Sequence, residues 1–183
     1  RIILSAKRAD GKPLGTVLRL GAVYGARIKG NYRRLLLSLA RGRFIPIGAG
    51  TNRRTLVYEK DAARAAVLAL RHPGCAGEIF NITDGRFHTM NAIIETLCGS
   101  LGRSKPGWSI PVGPVRALAG VIEDTGRFLG RTTPIVRSTI DKYTEDVAVD
   151  GSRFQTRTGF SPKYDLAAGW RETVDEMKQA GEL

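Results

Sequence analysis

The chain has 183 residues, of which 42% are hydrophobic, and its formal net charge is +12. This composition excludes an intrinsically disordered chain and fits a globular domain with a buried core. No apolar run approaches the roughly 20 residues of a membrane helix, and the two cysteines, Cys75 and Cys98, have neither disulfide-framework nor zinc-site spacing. We therefore expect no membrane partner, no metal site and a reducing, cytoplasmic location.

The positive charge lies in the first part of the chain. Residues 1–72 contain 16 Lys and Arg against 3 Asp and Glu, whereas residues 73–183 contain 13 against 14. A basic segment indicates an anionic partner, such as a phosphate ligand, nucleic acid or a membrane surface, although a plain solvated surface is an equal alternative. Nucleic acid is the less favoured partner, because RRLLLSLARGR is the one dense basic helix in the sequence and no base-stacking motif accompanies it.

Strand and helix patterns alternate along the chain, which predicts an α/β fold with parallel strands. Asn31, Asp61, Thr89 and Asp165 precede helical segments and are assigned as N-caps. In chain order the predicted elements are a helix ending before Gly11, a buried strand over 15–20, a loop over 21–31, a helix over 32–42, a strand over 54–58, a helix over 62–72, a strand over 78–82, helices over 90–102 and 115–130, a helix after Pro134, a strand over 147–150, a turn over 159–162 and a final helix from 166.

Residues 48–61, GAGTNRRTLVYEKD, place two arginines between a glycine turn and an apolar strand. Because successive side chains of a strand point to opposite faces, one of Arg53 and Arg54 can face a cleft while the other faces solvent. A guanidinium group holds phosphate oxygens with two parallel hydrogen bonds. The segment therefore indicates a phosphate-binding arginine, although an exposed arginine pair is the commoner finding.

The order of features in this segment resembles the extended short-chain dehydrogenase/reductase family, the NAD-dependent nucleotide-sugar epimerases and dehydratases typified by UDP-glucose 4-epimerase. Three other segments are similar to family motifs in the same order: LRLGAVYG at 18–25, GEIFNITDG at 77–85, and the stretch from Asp150 to Gly169. Together these motifs cover nearly the whole chain.

The resemblance implies that the chain is the C-terminal part of an extended Rossmann-type dehydrogenase/reductase. It would contain the last strands of a doubly wound parallel sheet and a small mixed α/β substrate-binding domain. Residues 1–183 would form one C-terminal fragment, in which 1–25 and 75–88 complete the edge of the cofactor-domain sheet. Residues 26–74 and 89–183 would form the substrate-binding domain.

The resemblance also implies an enzyme that binds NAD and transiently oxidises a sugar hydroxyl. The sequence contains neither the glycine-rich dinucleotide fingerprint nor a Tyr-x-x-x-Lys pair, so no catalytic residue is assigned and the chain alone is expected to be inactive. NAD would be bound mainly by residues that precede Arg1. The expected substrate is a UDP- or dTDP-linked sugar, and the expected assembly is a homo-oligomer.

Site residues carried over from the family fall into two groups. Five residues are expected to bind substrate. Arg54 would contact the diphosphate, Asn31 would contact a phosphate or the sugar, and the nucleobase would be lined by Phe44, Ile45 and Ile47. The residues expected beside the nicotinamide are Gly21, Ala22 and Val23. Tyr58 is assigned to packing.

Some positions depart from the family pattern. Ala22 replaces an asparagine that touches the diphosphate in many sugar-nucleotide enzymes, which favours an alternative, a reductase of the same family acting on a steroid-like or other carbonyl substrate. A basic nucleic-acid-binding module and a non-catalytic scaffold are further alternatives. Arg33 or Arg34 is a candidate for supporting Arg54, and Lys142 or Arg137 for replacing a late family arginine.

Overall fold

Short parallel strands form the centre of the molecule in the computed structural model, which describes residues 2–128 and 137–183. The α/β class with parallel pairing is thus confirmed. The strands are β1 (Val17–Leu20), β2 (Ala22–Tyr24), β3 (Arg53–Arg54), β4 (Leu56–Tyr58), β5 (Ile79–Ile82) and β6 (His88–Thr89). β1 pairs in parallel with β5 and β2 in parallel with β4, whereas β3 and β6 form an antiparallel pair.

Helices cover the strands on both sides. In the described ranges they are α1 (Ile2–Ser5), α2 (Asn31–Ala40), α3 (Glu59–Arg71), α4 (Met90–Leu101), α5 (Val112–Phe128), α6 (Arg137–Thr144), α7 (Ser152–Thr158) and α8 (Leu166–Gln179). None of these helices combines the length and the apolar composition that crossing a membrane requires. The described residues also contain no group of His, Cys, Asp and Glu arranged to hold a metal ion.

A change of partner at Gly21 joins the two parallel strand pairs. The Gly21 N–H donates to the Ile82 carbonyl of β5 at 2.8 Å, and the next N–H, of Ala22, donates to the Thr55 carbonyl at 3.0 Å. A Cβ atom at position 21 would lie 3.1 Å from that Thr55 oxygen, which is tighter than ordinary van der Waals contact. Glycine therefore allows β1 and β2 to run on as one chain between β5 and β4.

Two hydrophobic clusters lie on opposite faces of β4. Leu56 and Tyr58 belong to a cluster with α2, α4 and α8, whereas Val57 belongs to a cluster with α3, α7 and β5. Alternate side chains of a strand point to opposite faces, so one three-residue strand contributes to both. Trp170 of α8 is fully buried in the first cluster and stacks on Tyr24 with a centroid distance of 4.4 Å, and such large rings contribute much of the apolar burial.

Two predictions about the first strands are wrong. The loop predicted over 21–31 contains β2, whose Tyr24 is only 1% exposed. Gly21 and Gly25 lie directly before and after this strand, and closely spaced glycines are typical of a loop. The strand predicted as buried over 15–20 begins at Val17, and its last residue, Leu20, is 48% exposed.

Two of the four predicted N-caps are confirmed. Thr89 accepts a hydrogen bond from the Ala92 N–H at 3.1 Å, and Asp165 accepts one from Ala168 at 2.8 Å. The other two are wrong, because α2 is preceded by Gly30 and α3 by Tyr58, with no side-chain cap at either. Asn31 is instead the first residue of α2, and Asp61 lies inside the first turn of α3.

The end of the chain differs from expectation in two elements. The strand predicted over 147–150 is reduced to one bridge between Val147 and Arg54. Helix α7 is additional to the predicted elements and buries Phe154 against Phe80. The helix predicted after Pro134 appears as α6, while residues 129–136 lie outside the described residues.

Candidate functional site

Strand β3 directs its two arginines to different surroundings. The Arg54 side chain is partly buried, and its Nη2 donates to the carbonyl oxygens of Lys142 and Tyr143, both at 2.9 Å. The Arg53 side chain is 57% exposed and pairs with Asp146 at 3.2 Å. The strand alternation thus separates the two guanidinium groups as the sequence indicates.

Arg54 lines a cavity of about 520 Å³ between α2, β3 and the end of α6. The polar residues of its wall are Asn31, Tyr32, Arg34, Ser38, Lys142 and Tyr143. The apolar part of the wall comes from Leu35, Phe44 and Met90. A cavity of this size, lined by both polar and apolar side chains, can hold a small molecule.

The charges around this cavity are all positive. Three cationic side chains, Arg34, Arg54 and Lys142, line it, and no carboxylate does so among the described residues. Burial raises the pKa of the Tyr32 and Tyr143 phenols above the usual value. The Arg54 charge opposes that shift in part at Tyr32, and a hydrogen bond with the Ile47 backbone, followed by the Arg54 charge, opposes it in part at Tyr143. Both phenols are therefore neutral hydrogen-bonding groups near neutral pH, and the net charge of the wall is positive.

Helix α2 presents one face to the cavity. Asn31, Arg34, Leu35 and Ser38 are spaced three or four residues apart, so they follow one another along a single stripe. The opposite stripe of α2 is apolar and packs into the first hydrophobic cluster, with Leu36 fully buried. Packing of that apolar stripe fixes which way the polar stripe points.

The backbone below Arg54 is held by β6. Arg54 lies opposite His88 in the antiparallel pair, and the His88 Nε2 is 2.5 Å from the Asp84 Oδ2. Both of these side chains are largely buried. The Nε atom of Arg54 is itself buried and has no hydrogen-bond partner among the described residues, which is an uncommon state for a charged donor.

The structure brings together three of the five residues predicted to bind substrate. Asn31, Phe44 and Arg54 share the cavity. Ile45 is 44% exposed and lines a separate cavity with Trp108. Ile47 forms a bridge with Ile110 and lines a third cavity, so the two isoleucines do not join the Arg54 wall.

The residues predicted beside the nicotinamide lie where β1 passes into β2. The N–H groups of Gly21 and Ala22 are both used in sheet hydrogen bonds. The Val23 side chain is 40% exposed, and the Leu20 side chain is 48% exposed. This segment can thus offer apolar side chains to a ligand, whereas two of its backbone donors are already occupied.

The sequence interpretation did not name three of the cavity residues, Tyr32, Met90 and Tyr143. It named Lys142 only as a possible replacement for a family arginine. Arg34 was one of two candidates, and the other, Arg33, pairs with Glu182 at 3.0 Å. The spacing from Asn31 to Ser38 was a usable signal for Arg34. No local signal connects Tyr143 to α2.

Comparisons with known proteins bear on the predicted family resemblance. The model of the NAD dependent epimerase/dehydratase family matches residues 1–83. The UDP-glucose 4-epimerase of Vibrio cholerae is 27% identical over 178 residues, which are 97% of this chain and 51% of that protein. The predicted family resemblance is confirmed. The chain spans about half the length of the curated relatives it matches.

Solved structures of epimerases share the fold. The UDP-glucose 4-epimerase of Thermotoga maritima, solved with UDP-glucose, has a TM-score of 0.63 and 25% identity, covering 92% of this chain and 47% of that one. The UDP-glucuronic acid 4-epimerase of Bacillus cereus, solved with UDP-glucuronic acid and NAD, has a TM-score of 0.61 and 22% identity, covering 90% and 45%. This chain therefore has the architecture of one part of a Rossmann-type epimerase.

Proposed function

We propose that the Arg54 cavity binds the diphosphate of a UDP- or dTDP-linked sugar and that the chain supplies the substrate-binding part of an NAD-dependent epimerase or dehydratase. The observation that carries this proposal is the wall with Arg34, Arg54 and Lys142 and, among the described residues, no carboxylate. A diphosphate is the compact anion that such a wall favours, since each cation gains from a neighbouring phosphate oxygen.

The surroundings of Arg54 suit a preorganised anion site. Its bonds to two carbonyls at the end of α6 hold the guanidinium plane in place, so little side-chain entropy remains to be lost on binding. Asn31 and Ser38 add polar groups on the α2 side, and Phe44 adds an apolar surface for a ring of the ligand. The cavity volume of about 520 Å³ lies within the usual range for ligand sites.

NAD would accept a hydride from the sugar and return it. On this chain, we place Gly21, Ala22 and Val23 beside the nicotinamide, with the exposed side chain of Val23 as the contact. The position after β1 agrees with the general rule that ligands bind beyond the carboxyl ends of parallel strands. The remainder of the cofactor site would come from residues outside this chain.

We assign no catalytic base to this chain. Burial raises the pKa of Tyr24 and of Tyr58 well above the usual phenol value, so neither phenol ionises near neutral pH. Activity of the chain alone is accordingly expected to be absent. The same proposal divides the chain into a sheet part (1–25 and 75–88) and a substrate-binding part (26–74 and 89–183). It also includes a homo-oligomeric assembly and a cytoplasmic location.

Calorimetric titration with UDP tests the proposal. Arg54→Gln removes a charge-assisted hydrogen bond worth about 2 kcal/mol, so binding should weaken about 30-fold. Arg34→Gln should weaken binding as well and does not disturb the end of α6. The matched control is Arg53→Gln, which removes the same charge one residue away on the solvent side and should leave the UDP affinity unchanged.

The unfolding temperature of each variant shows whether a loss of binding comes from a loss of structure. UDP binding that falls equally in the Arg53 and Arg54 variants would reduce the effect to overall charge. A folded wild-type protein that binds neither UDP nor dTDP would contradict the proposed function itself.

A further inference from the structure

A second basic and apolar surface adjoins the Arg54 wall, with which it shares Phe44, and lies on the turn after α2 and the loop after α4. We call it the Trp108 face, and its members are Arg41, Arg43, Ile45, Arg103, Lys105 and Trp108. All six of these residues are exposed. Trp108 is 63% exposed and Ile45 is 44% exposed, and both side chains line the same cavity.

The two segments of the Trp108 face meet in space. Arg43, Ile45, Arg103 and Trp108 line one open cavity of about 510 Å³. Lys105 and Trp108 line an adjoining cavity of about 400 Å³. A Cβ atom at Gly42 would lie 3.3 Å from the Nη1 atom of Arg103, so the turn at 41–43 and the loop at 103–108 form a single surface.

The cations of this face lack partners. Among residues 2–128 and 137–183, Arg41, Arg43, Arg103 and Lys105 form no ion pair with a carboxylate, and no carboxylate lines either cavity. Leu39, Phe44, Pro46 and Cys98 form the apolar floor between them. Four cations around an apolar floor are complementary to an anionic amphiphile.

We infer that the Trp108 face docks on an anionic phospholipid surface. Trp108 and Ile45 would enter the headgroup region, where an indole ring with one apolar and one polar side is favoured. The four cations would lie over lipid phosphates. This inference assigns a partner to Arg41 and Arg43 of the basic segment 1–72 and to Arg103 and Lys105. It departs from the expectation of no membrane partner and does not depend on sugar-nucleotide binding at Arg54.

An anionic membrane fits this surface better than nucleic acid does. The floor between the cations is apolar and offers no row of donors and acceptors to base edges. Trp108 is the one exposed aromatic side chain of the face, since Phe44 in the floor is partly buried, whereas single-stranded nucleic acids are generally held by successive stacking rings. A docked surface of this kind needs no membrane-spanning helix.

Vesicle sedimentation of the full chain tests the inference. The protein should sediment with vesicles of phosphatidylglycerol and phosphatidylcholine in equal parts and stay in solution with phosphatidylcholine alone. Arg43→Gln/Arg103→Gln should bind about 30-fold more weakly, since each cation near an anionic surface contributes about a fivefold effect. Binding should also be lost near 1 M salt, where screening acts over about 3 Å.

The matched control is Arg71→Gln/Arg157→Gln, which removes the same charge from α3 and α7 on the other face of β4. It should bind vesicles as the wild type does. Equal losses in the two double variants, with unfolding temperatures unchanged, would overturn the inference. So would a wild-type protein that does not distinguish anionic from neutral vesicles.

Tryptophan fluorescence locates the contact. The protein has two tryptophans, and Trp170 is fully buried, so an emission shift on adding anionic vesicles should come from Trp108. The variant Trp108→Phe should abolish the shift and keep most of the binding. A vesicle-bound wild type with unchanged emission would overturn the inference, as would a DNA duplex that binds more tightly than vesicles and alone shifts the emission.

Discussion

Asp61→Ala should be among the most destabilising single substitutions in this chain. The Asp61 carboxylate is 1% exposed and accepts hydrogen bonds from the Lys163 N–H at 2.9 Å and the Tyr164 N–H at 3.0 Å. It also pairs with Arg64 one turn along α3. One buried group therefore ties the first turn of α3 to the turn that leads into α8.

The expected cost can be worked out from these contacts. Alanine leaves two partly buried backbone donors without an acceptor, at about 1–3 kcal/mol each, and removing one member of a buried charge pair costs about 3–5 kcal/mol. These contributions overlap, and the Arg64 side chain is 38% exposed and can be rehydrated. We expect a loss of about 4 kcal/mol, which for a chain of this size lowers the unfolding temperature by about 12 °C.

Urea and thermal unfolding followed by circular dichroism measure this loss. Arg64→Ala is the comparison variant: it removes the cation beside the buried carboxylate but keeps the Lys163 and Tyr164 backbone hydrogen bonds to Asp61, so it should cost less than Asp61→Ala. Asp141→Ala breaks an exposed pair with Arg116 and should lower the unfolding temperature much less than Asp61→Ala. An Asp61→Ala protein as stable as Asp141→Ala would refute the account of this region.

Two further predictions concern packing and acid stability. Gly169→Ala places a Cβ against the buried Tyr24 hydroxyl and should cost about 3 kcal/mol in urea unfolding, whereas Gly99→Ala in α4, which has open space, should gain about 1 kcal/mol; equal effects would contradict the packing of α8 on β2. The Arg53 backbone N–H, followed by its side chain, lowers the pKa of Asp146, so the stability from this carboxylate is present above the usual aspartate pKa and lost as the pH falls through the lowered value. A carboxyl-carbon NMR titration should place Asp146 below the usual range, and a midpoint in that range would be the contrary result.

Local sequence patterns sufficed for the helices other than α7 and for the parallel arrangement. Thr89 and Asp165 were recognisable as caps because capping is decided within four residues. Asp61 follows the same local pattern, but its hydrogen-bond partners, Lys163 and Tyr164, lie about a hundred residues further along the chain. The Asp61 carboxylate therefore accepts hydrogen bonds from distant backbone N–H groups and not from the start of its own helix. The sequence around Asp61 gives no indication of these distant donors.

Some residues of the candidate site could likewise be predicted from local sequence, whereas others depend on distant parts of the chain. Asn31 and Arg54 could be named from motifs, and Arg34 from its helical spacing. The carbonyls that hold Arg54 come from Lys142 and Tyr143, 88 and 89 positions away, and their approach depends on how α6 packs. Ile45 was named from the family resemblance alone, and it lines the cavity of Trp108 instead of the Arg54 cavity. The segment around it is irregular, so neither strand nor helix periodicity decides where its side chain points.

The most direct measurement of the central proposal is a crystal structure of the protein with UDP. The account predicts diphosphate oxygens about 3 Å from the Arg54 guanidinium, with Arg34 and Lys142 on the flanks and Asn31 at the start of α2. A diphosphate bound elsewhere, or one in this cavity with Arg54 turned away from it, would contradict the account.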